Sequence, residues 1–82
     1  MLTVEYSDEL LKIIRKIKDL FLKEKIKKQI KKIIEQPQIG KPVRYSRKGT
    51  REIHIGSYRL AYAYIKEKNR IIFLDLYHKD KQ

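Results

Sequence analysis

Residues 51–65 read Arg51-Glu52-Ile53-His54-Ile55-Gly56-Ser57-Tyr58-Arg59-Leu60-Ala61-Tyr62-Ala63-Tyr64-Ile65, and the rest of the chain is best read outward from them. The stretch alternates. Ile53 and Ile55 point one way, Glu52 and His54 the other. Gly56-Ser57 is a two-residue turn with glycine first, the preference of a type II′ hairpin. On the return strand, Leu60, Tyr62 and Tyr64 form a bulky face suited to a core. Arg59, Ala61 and Ala63 form the other face, a shallow trough floored by alanine and rimmed by His54 and Arg59. Such a trough is a seat for a ligand, and the charge of the chain makes that ligand an anion.

Beyond the hairpin, Lys66-Glu67-Lys68-Asn69 is a polar turn in which Asn69 can take the left-handed conformation. Arg70 to Tyr77 is a last strand, expected to place Ile72, Leu74 and Leu76 in the core and Ile71, Phe73, Asp75 and Tyr77 opposite. His78 to Gln82 is a charged tail. Before the hairpin, Pro37 and Gly40-Lys41-Pro42 form a loop. Val43-Arg44-Tyr45 is extended, and Ser46-Arg47-Lys48-Gly49 is a basic turn.

At the front of the chain, Leu2 to Tyr6 alternates as a short strand with Leu2, Val4 and Tyr6 inward. Ser7 followed by Asp8-Glu9 is a helix start. Leu10, Leu11, Ile13, Ile14 and Ile17 share one helical face. The pattern changes phase at Asp19-Leu20-Phe21, and Leu22, Ile26, Ile30, Ile33 and Ile34 form a second stripe. One unbroken helix from Ser7 to Gln36 would run about 45 Å at 1.5 Å per residue, too long for so small a domain, so two helices in a hairpin are expected. The order β-α-α-β-β-β, with a possible further strand, predicts a single α+β domain over residues 1–82. It is a small antiparallel sheet with an N-terminal helical hairpin on one face and the other face open.

With 21 Lys+Arg against 10 Asp+Glu, the net charge of +11 over 82 residues draws the chain to polyanions. Nucleic acid is the expected partner; an acidic protein could also neutralise such a chain. The absence of cysteine excludes a disulfide framework and thiolate metal sites. No apolar run suits a bilayer span and no signal-peptide pattern opens the chain, so no membrane role is expected and the cytoplasm is the expected compartment.

No Gly-rich phosphate loop, metalloprotease motif or serine elbow is present. Two histidines distant in sequence give no metal site, and neither metal nor cofactor is assigned. What remains is a cationic cluster on the sheet: His54, Arg59, His78 and Lys79, with Arg44, Arg47, Lys48 and Arg51 nearby. RNA is cut without a metal when a base deprotonates the 2′-hydroxyl, which then attacks the adjacent phosphorus. Arginine suits the charge on the phosphorane, because its planar fork holds two phosphoryl oxygens. Histidine, or a lysine among other cations, suits the proton transfers. Tyr77 on the open face could stack a base.

The element order, the Pro37 to Gly40-Lys41-Pro42 link and above all residues 51–62 resemble the RelE/ParE superfamily of toxin–antitoxin toxins. Residues 51–62 are similar to the recurrent pattern R-E-hydrophobic-R-hydrophobic-G-x-Y-R-hydrophobic-x-Y of that superfamily. Residues 76–81, LYHKDK, are similar to its closing strand and basic cluster. The resemblance implies a ribosome-dependent endoribonuclease that cuts messenger RNA, contacts ribosomal RNA and is silenced by a cognate antitoxin. That antitoxin is expected to be acidic and to lay a helical segment into the trough. By position, Arg59 matches the arginine at the scissile phosphate, His54 a basic residue on the preceding strand, and Lys79, with His78 beside it, the C-terminal cluster. Glu52 departs from the pattern, standing where some active members carry a second lysine, and residues 80–82 offer no counterpart of a late tyrosine used by some RelE proteins. The ParE branch, which shares the fold but poisons DNA gyrase, and a non-catalytic RNA- or protein-binding module are the alternatives.

Overall fold

Two helices do form where the hydrophobic stripe changes phase. The computed structural model describes residues 1–43 and 49–81. Strand β1 (Thr3–Tyr6) leads into helix α1 (Asp8–Lys16), and helix α2 (Leu20–Glu35) follows at once. Ser7 caps α1, its Oγ accepting from the Leu10 N–H at 3.0 Å. Asp19 caps α2 by accepting from the N–H groups of Phe21 and Leu22. That second cap is what divides the run, since no proline or glycine is there to do it.

The sheet holds β1, β2 (Lys41–Pro42), β3 (Thr50–Ile55), β4 (Tyr58–Ile65) and β5 (Arg70–His78) in the order β1-β5-β4-β3-β2. β5, β4, β3 and β2 are antiparallel neighbours, but β1 runs parallel to β5. The sheet is therefore mixed rather than wholly antiparallel, because alternation fixes which face a residue takes and not the direction of its strand. The Gly56 turn has φ +59° at its first position, as a type II′ turn needs, and Asn69 takes φ +49° at the second turn. Arg44, Arg47 and Lys48, with most of the expected extended segment and basic turn, lie outside the described residues.

Both helices pack on one face. Leu10, Ile26 and Ile33 join Ile55, Leu60, Tyr62, Ile71, Phe73 and Leu76 in a single buried core. The expected inward faces of the first three elements hold, except that Leu11 is not among the side chains packed on the core and Tyr6 is 41% exposed, its ring stacked on Phe73 at 5.3 Å. The last strand differs. Ile71 and Phe73 are core residues, and so is Leu76. A β-bulge reconciles the two parities: Tyr62 pairs with Phe73 and Ala61 with Asp75, so Leu74 is the extra residue. Ser7 is fastened to this bulge. Its N–H donates to the Phe73 carbonyl and its hydroxyl to the Leu74 carbonyl at 2.6 Å.

Tyr62 is the polar anchor of the core. Its hydroxyl donates to the Pro37 carbonyl and accepts from the Gly40 N–H, each at 2.8 Å. Arg51, from the neighbouring strand, donates through one guanidinium nitrogen to the carbonyls of Gln38 (3.1 Å) and Gly40 (2.6 Å). A Cβ at Gly40 would stand 2.6 Å from the Tyr62 hydroxyl and 3.0 Å from the Glu52 carbonyl, so the loop passes here only as glycine.

Burial pushes the Tyr62 phenol up from its ordinary 10.0, against the opposing pull of the Gly40 N–H and the Arg51 charge. The folded chain thus keeps this proton at a pH where the unfolded chain has lost it. The stability it protects is complete below about pH 10 and falls as pH climbs from there through the raised value. Tyr62→Phe leaves Gly40 N–H and the Pro37 carbonyl without their partner and should cost about 1–3 kcal/mol at neutral pH. Urea unfolding at about pH 8 and about pH 11 checks both points: the gap between wild type and variant should narrow at the higher pH.

Candidate functional site

The β3–β4 hairpin lays its residues opposite one another in register. On the face away from the helices, His54 pairs with Arg59, Glu52 with Ala61 and Thr50 with Ala63. β5 extends all three rows, bringing Tyr77 beside Arg59, Asp75 beside Ala61 and Ile72 beside Ala63. β2 adds Lys41 beside Glu52. One row is therefore His54–Arg59–Tyr77, and the next is Lys41–Glu52–Ala61–Asp75. Directly opposed side chains in such rows have Cβ atoms about 4.5–5.5 Å apart, so a single phosphate can touch two of them.

His54 is exposed and Arg59 half-buried. Among the described residues, the one hydrogen bond of the Arg59 guanidinium goes to the Tyr58 carbonyl of its own strand, at 3.1 Å. Neither Glu52 nor Asp75 forms an ion pair with it. Asp75 instead accepts from the Leu76 N–H at 2.8 Å. A guanidinium one row from two carboxylates, yet ion-paired to neither, has the chemistry to hold an outside anion.

Tyr77 changes the trough expected above Ala61. Its hydroxyl donates to Glu52 Oε2 at 2.5 Å. Tyr77 is on β5 and Glu52 on β3, so the bond crosses β4 on the diagonal over Ala61. The trough is bridged, and the alanine beneath explains how a tyrosine can span it. The open space lies to one side instead: a depression of about 140 Å³ lined by Ile39, Lys41, Glu52, Ile53 and His54.

The C-terminal members of the expected cluster divide. The Lys79 N–H donates to the Ser57 carbonyl at 2.8 Å, which ties the tail to the hairpin turn at the Arg59 end of the sheet. His78 does not join Arg59. It pairs with Tyr58, two residues from buried Leu60, and so lies on the helix side. There it meets the Tyr58 ring edge-on at 5.4 Å, with Asp80 Oδ2 3.4 Å from its Nδ1. The expectation that both histidines converge is corrected by strand parity alone: adjacent residues Tyr77 and His78 must face opposite ways. Arg51 is likewise on the helix side, holding the Gln38–Gly40 loop. Sequence reading gave no role to Glu52 and Lys41. The signal for Glu52 was its parity with His54; the partnership with Tyr77, 25 residues away, had none. Among the described residues, no three His, Cys, Asp or Glu side chains gather as metal ligands.

A second concavity lies at the far end of the helical hairpin, a groove of about 510 Å³ between the α1–α2 turn and the β-hairpin tip. Ile17, Leu22, Tyr58 and Leu76 are among its apolar lining, and Lys16, Lys18 and Lys25 edge it. Leu20 and Phe21, on the same turn, are 74% and 82% exposed.

A family model described as the ParE toxin of the type II toxin–antitoxin system parDE matches residues 1–82. No curated protein matches the chain. Among solved structures, the toxin–antitoxin complex RelBE of E. coli is similar at 26% identity, with a TM-score of 0.78 over 93% of this chain and 94% of that one. The complex RelBE2 of Mycobacterium tuberculosis is similar at 24% identity, TM-score 0.76, over 94% and 96% of the two chains. The RelB–RelE complex of Methanococcus jannaschii shares the fold at 15% identity, TM-score 0.74, over 94% and 92%.

Proposed function

We propose, from the premise that this chain belongs to the ParE toxin family and is the toxin of a type II toxin–antitoxin system, that it acts by cutting messenger RNA on the ribosome. The observation that carries the reading is Arg59. Its guanidinium stands on the helix-free side of the sheet, beside His54, with no ion pair among the described residues. The 2′-hydroxyl attacks the adjacent phosphorus, Arg59 meets the charge of the phosphorane, and His54 gives a proton to the departing 5′-oxygen. Lys79 borders this end of the sheet and adds positive charge. The lysines of the two helices grip ribosomal RNA through its phosphates.

Expression in a growing host tests this. Prompt loss of protein synthesis with cleaved messages supports the reading. DNA-damage signalling with intact messages supports gyrase inhibition, the reading that the ParE description of the matched family favours. Growth without arrest refutes both.

The antitoxin is the second part of the proposal, and the solved complexes with RelB antitoxins support it. The groove at the helical turn suits an acidic amphipathic helix better than the bridged trough does. Its floor is apolar, its edge is lysine, and Phe21 is exposed beside it. Phe21→Ser should weaken antitoxin binding about tenfold or more, by titration calorimetry, and leave message cleavage by the free toxin unchanged. Unchanged affinity would move the antitoxin elsewhere.

A further inference from the structure

We propose that Glu52 is the general base for RNA cleavage and that Tyr77, bonded to it across Ala61, is the residue that positions it; this rests on the ribonuclease reading above. Cleavage needs a group that removes the 2′-hydroxyl proton. Arg59 cannot, because a guanidinium does not deprotonate in proteins. His54 serves as the acid, and a second group must be the base. Glu52 is two residues from His54 on the same strand and face, and one row from Arg59. Both Glu52 and His54 line the same depression of about 140 Å³, which suits a fragment smaller than a nucleotide, such as a ribose.

The bond to Tyr77 is what fits Glu52 for this work. A free glutamate on a sheet surface samples many rotamers. Here the Tyr77 hydroxyl donates to Oε2. A carboxylate has two acceptor oxygens, so Oε1 is the one assigned to the ribose. Lys41 faces Glu52 from β2, His54 from β3, Arg59 from β4, and Asp75 and Tyr77 from β5.

The step balances. The 2′-hydroxyl proton passes to Glu52 as the bond from the 2′-oxygen to phosphorus forms. The bond from phosphorus to the 5′-oxygen then breaks, and that oxygen takes a proton from His54. The products are a 2′,3′-cyclic phosphate and a 5′-hydroxyl. Return of the proton from Glu52 to His54 through solvent resets the site.

Single-turnover cleavage on ribosomes programmed with one defined message, followed across pH, tests the assignment. Glu52→Gln still accepts from Tyr77 but cannot take the proton. It should cut about a hundredfold more slowly near neutrality and lose the fall in rate toward acid pH that marks a carboxylate base. Tyr77→Phe should keep message binding and cut about tenfold more slowly, yet cost nothing further when added to Glu52→Gln, because it acts through that carboxylate. A merely structural tyrosine would slow the wild type and Glu52→Gln by the same factor. If wild type cuts and Glu52→Gln matches it in rate and pH profile, the assignment is overturned while the ribonuclease reading stands. If Glu52→Gln fails to fold, wild-type cleavage by Tyr77→Phe overturns it. If wild type cuts no message, both readings fall together.

Discussion

Arg59→Ala should lower message cleavage by about a thousandfold or more and abolish growth arrest, while the protein folds and binds its antitoxin as before. The size follows from the role. Removing one preorganised donor from a charge-developing centre typically costs about 10²–10³ in rate, and a guanidinium offers two to the phosphorane. The retained fold follows from the environment. The one hydrogen bond of this guanidinium among the described residues reaches the carbonyl of the preceding residue, so its loss strands no distant partner. Arg59→Lys separates charge from shape: it keeps the positive charge and loses the fork, and should recover only part of the rate. Cleavage assays on programmed ribosomes, with a binding titration against the antitoxin, decide the matter. Wild-type cleavage by Arg59→Ala would remove this residue from the mechanism.

Phe73→Ala should instead unfold a large share of the molecules. Phe73 is fully buried, stacks against Tyr6 at 5.3 Å and tilts against Tyr62 at 6.0 Å. Its carbonyl also receives the Ser7 N–H. Truncating a buried phenylalanine costs about 3–5 kcal/mol. A chain of this length has about 4–12 kcal/mol in total. Chemical denaturation should show the midpoint falling steeply, and toxicity and antitoxin binding should fail together. That joint loss distinguishes it from Arg59→Ala, where only toxicity goes. A variant of unchanged midpoint would mean that the core closes without this ring.

The contrast between the hairpin and the last strand shows what a sequence can carry. From Glu52 to Leu60, apart from the turn, apolar and polar residues alternate without ambiguity, so the pairing of His54 with Arg59 and the burial of Leu60 and Tyr62 could be read directly. Residues 71–74 are Ile, Ile, Phe and Leu, and either parity buries apolar groups there. The choice is made elsewhere, by Ser7 fastening the bulge at Leu74 from a distant part of the chain. Hence Asp75 and Tyr77 could be assigned to the open face, but Ile71 and Phe73 could not be assigned to the core. The site was legible to the same degree. Arg59 and His54 share a hairpin and declare themselves by local pattern. The Glu52–Tyr77 bond joins non-neighbouring strands and follows from the finished sheet alone. His78 illustrates the opposite error: a residue one step from the right face is on the wrong one.

The parallel seam between β1 and β5 also has a meaning for how the chain is made. In chain order the first strand of this sheet, β1, pairs with its last, β5, and the Ser7–Leu74 hydrogen bond closes a span of 67 residues. Such long-range pairing is slow to nucleate and cannot be anticipated by a partial chain. Residues 1–69 alone lack the strand that carries Tyr77, so the two ends of the Glu52–Tyr77 bond meet only once β5 has been made and has docked between β1 and β4.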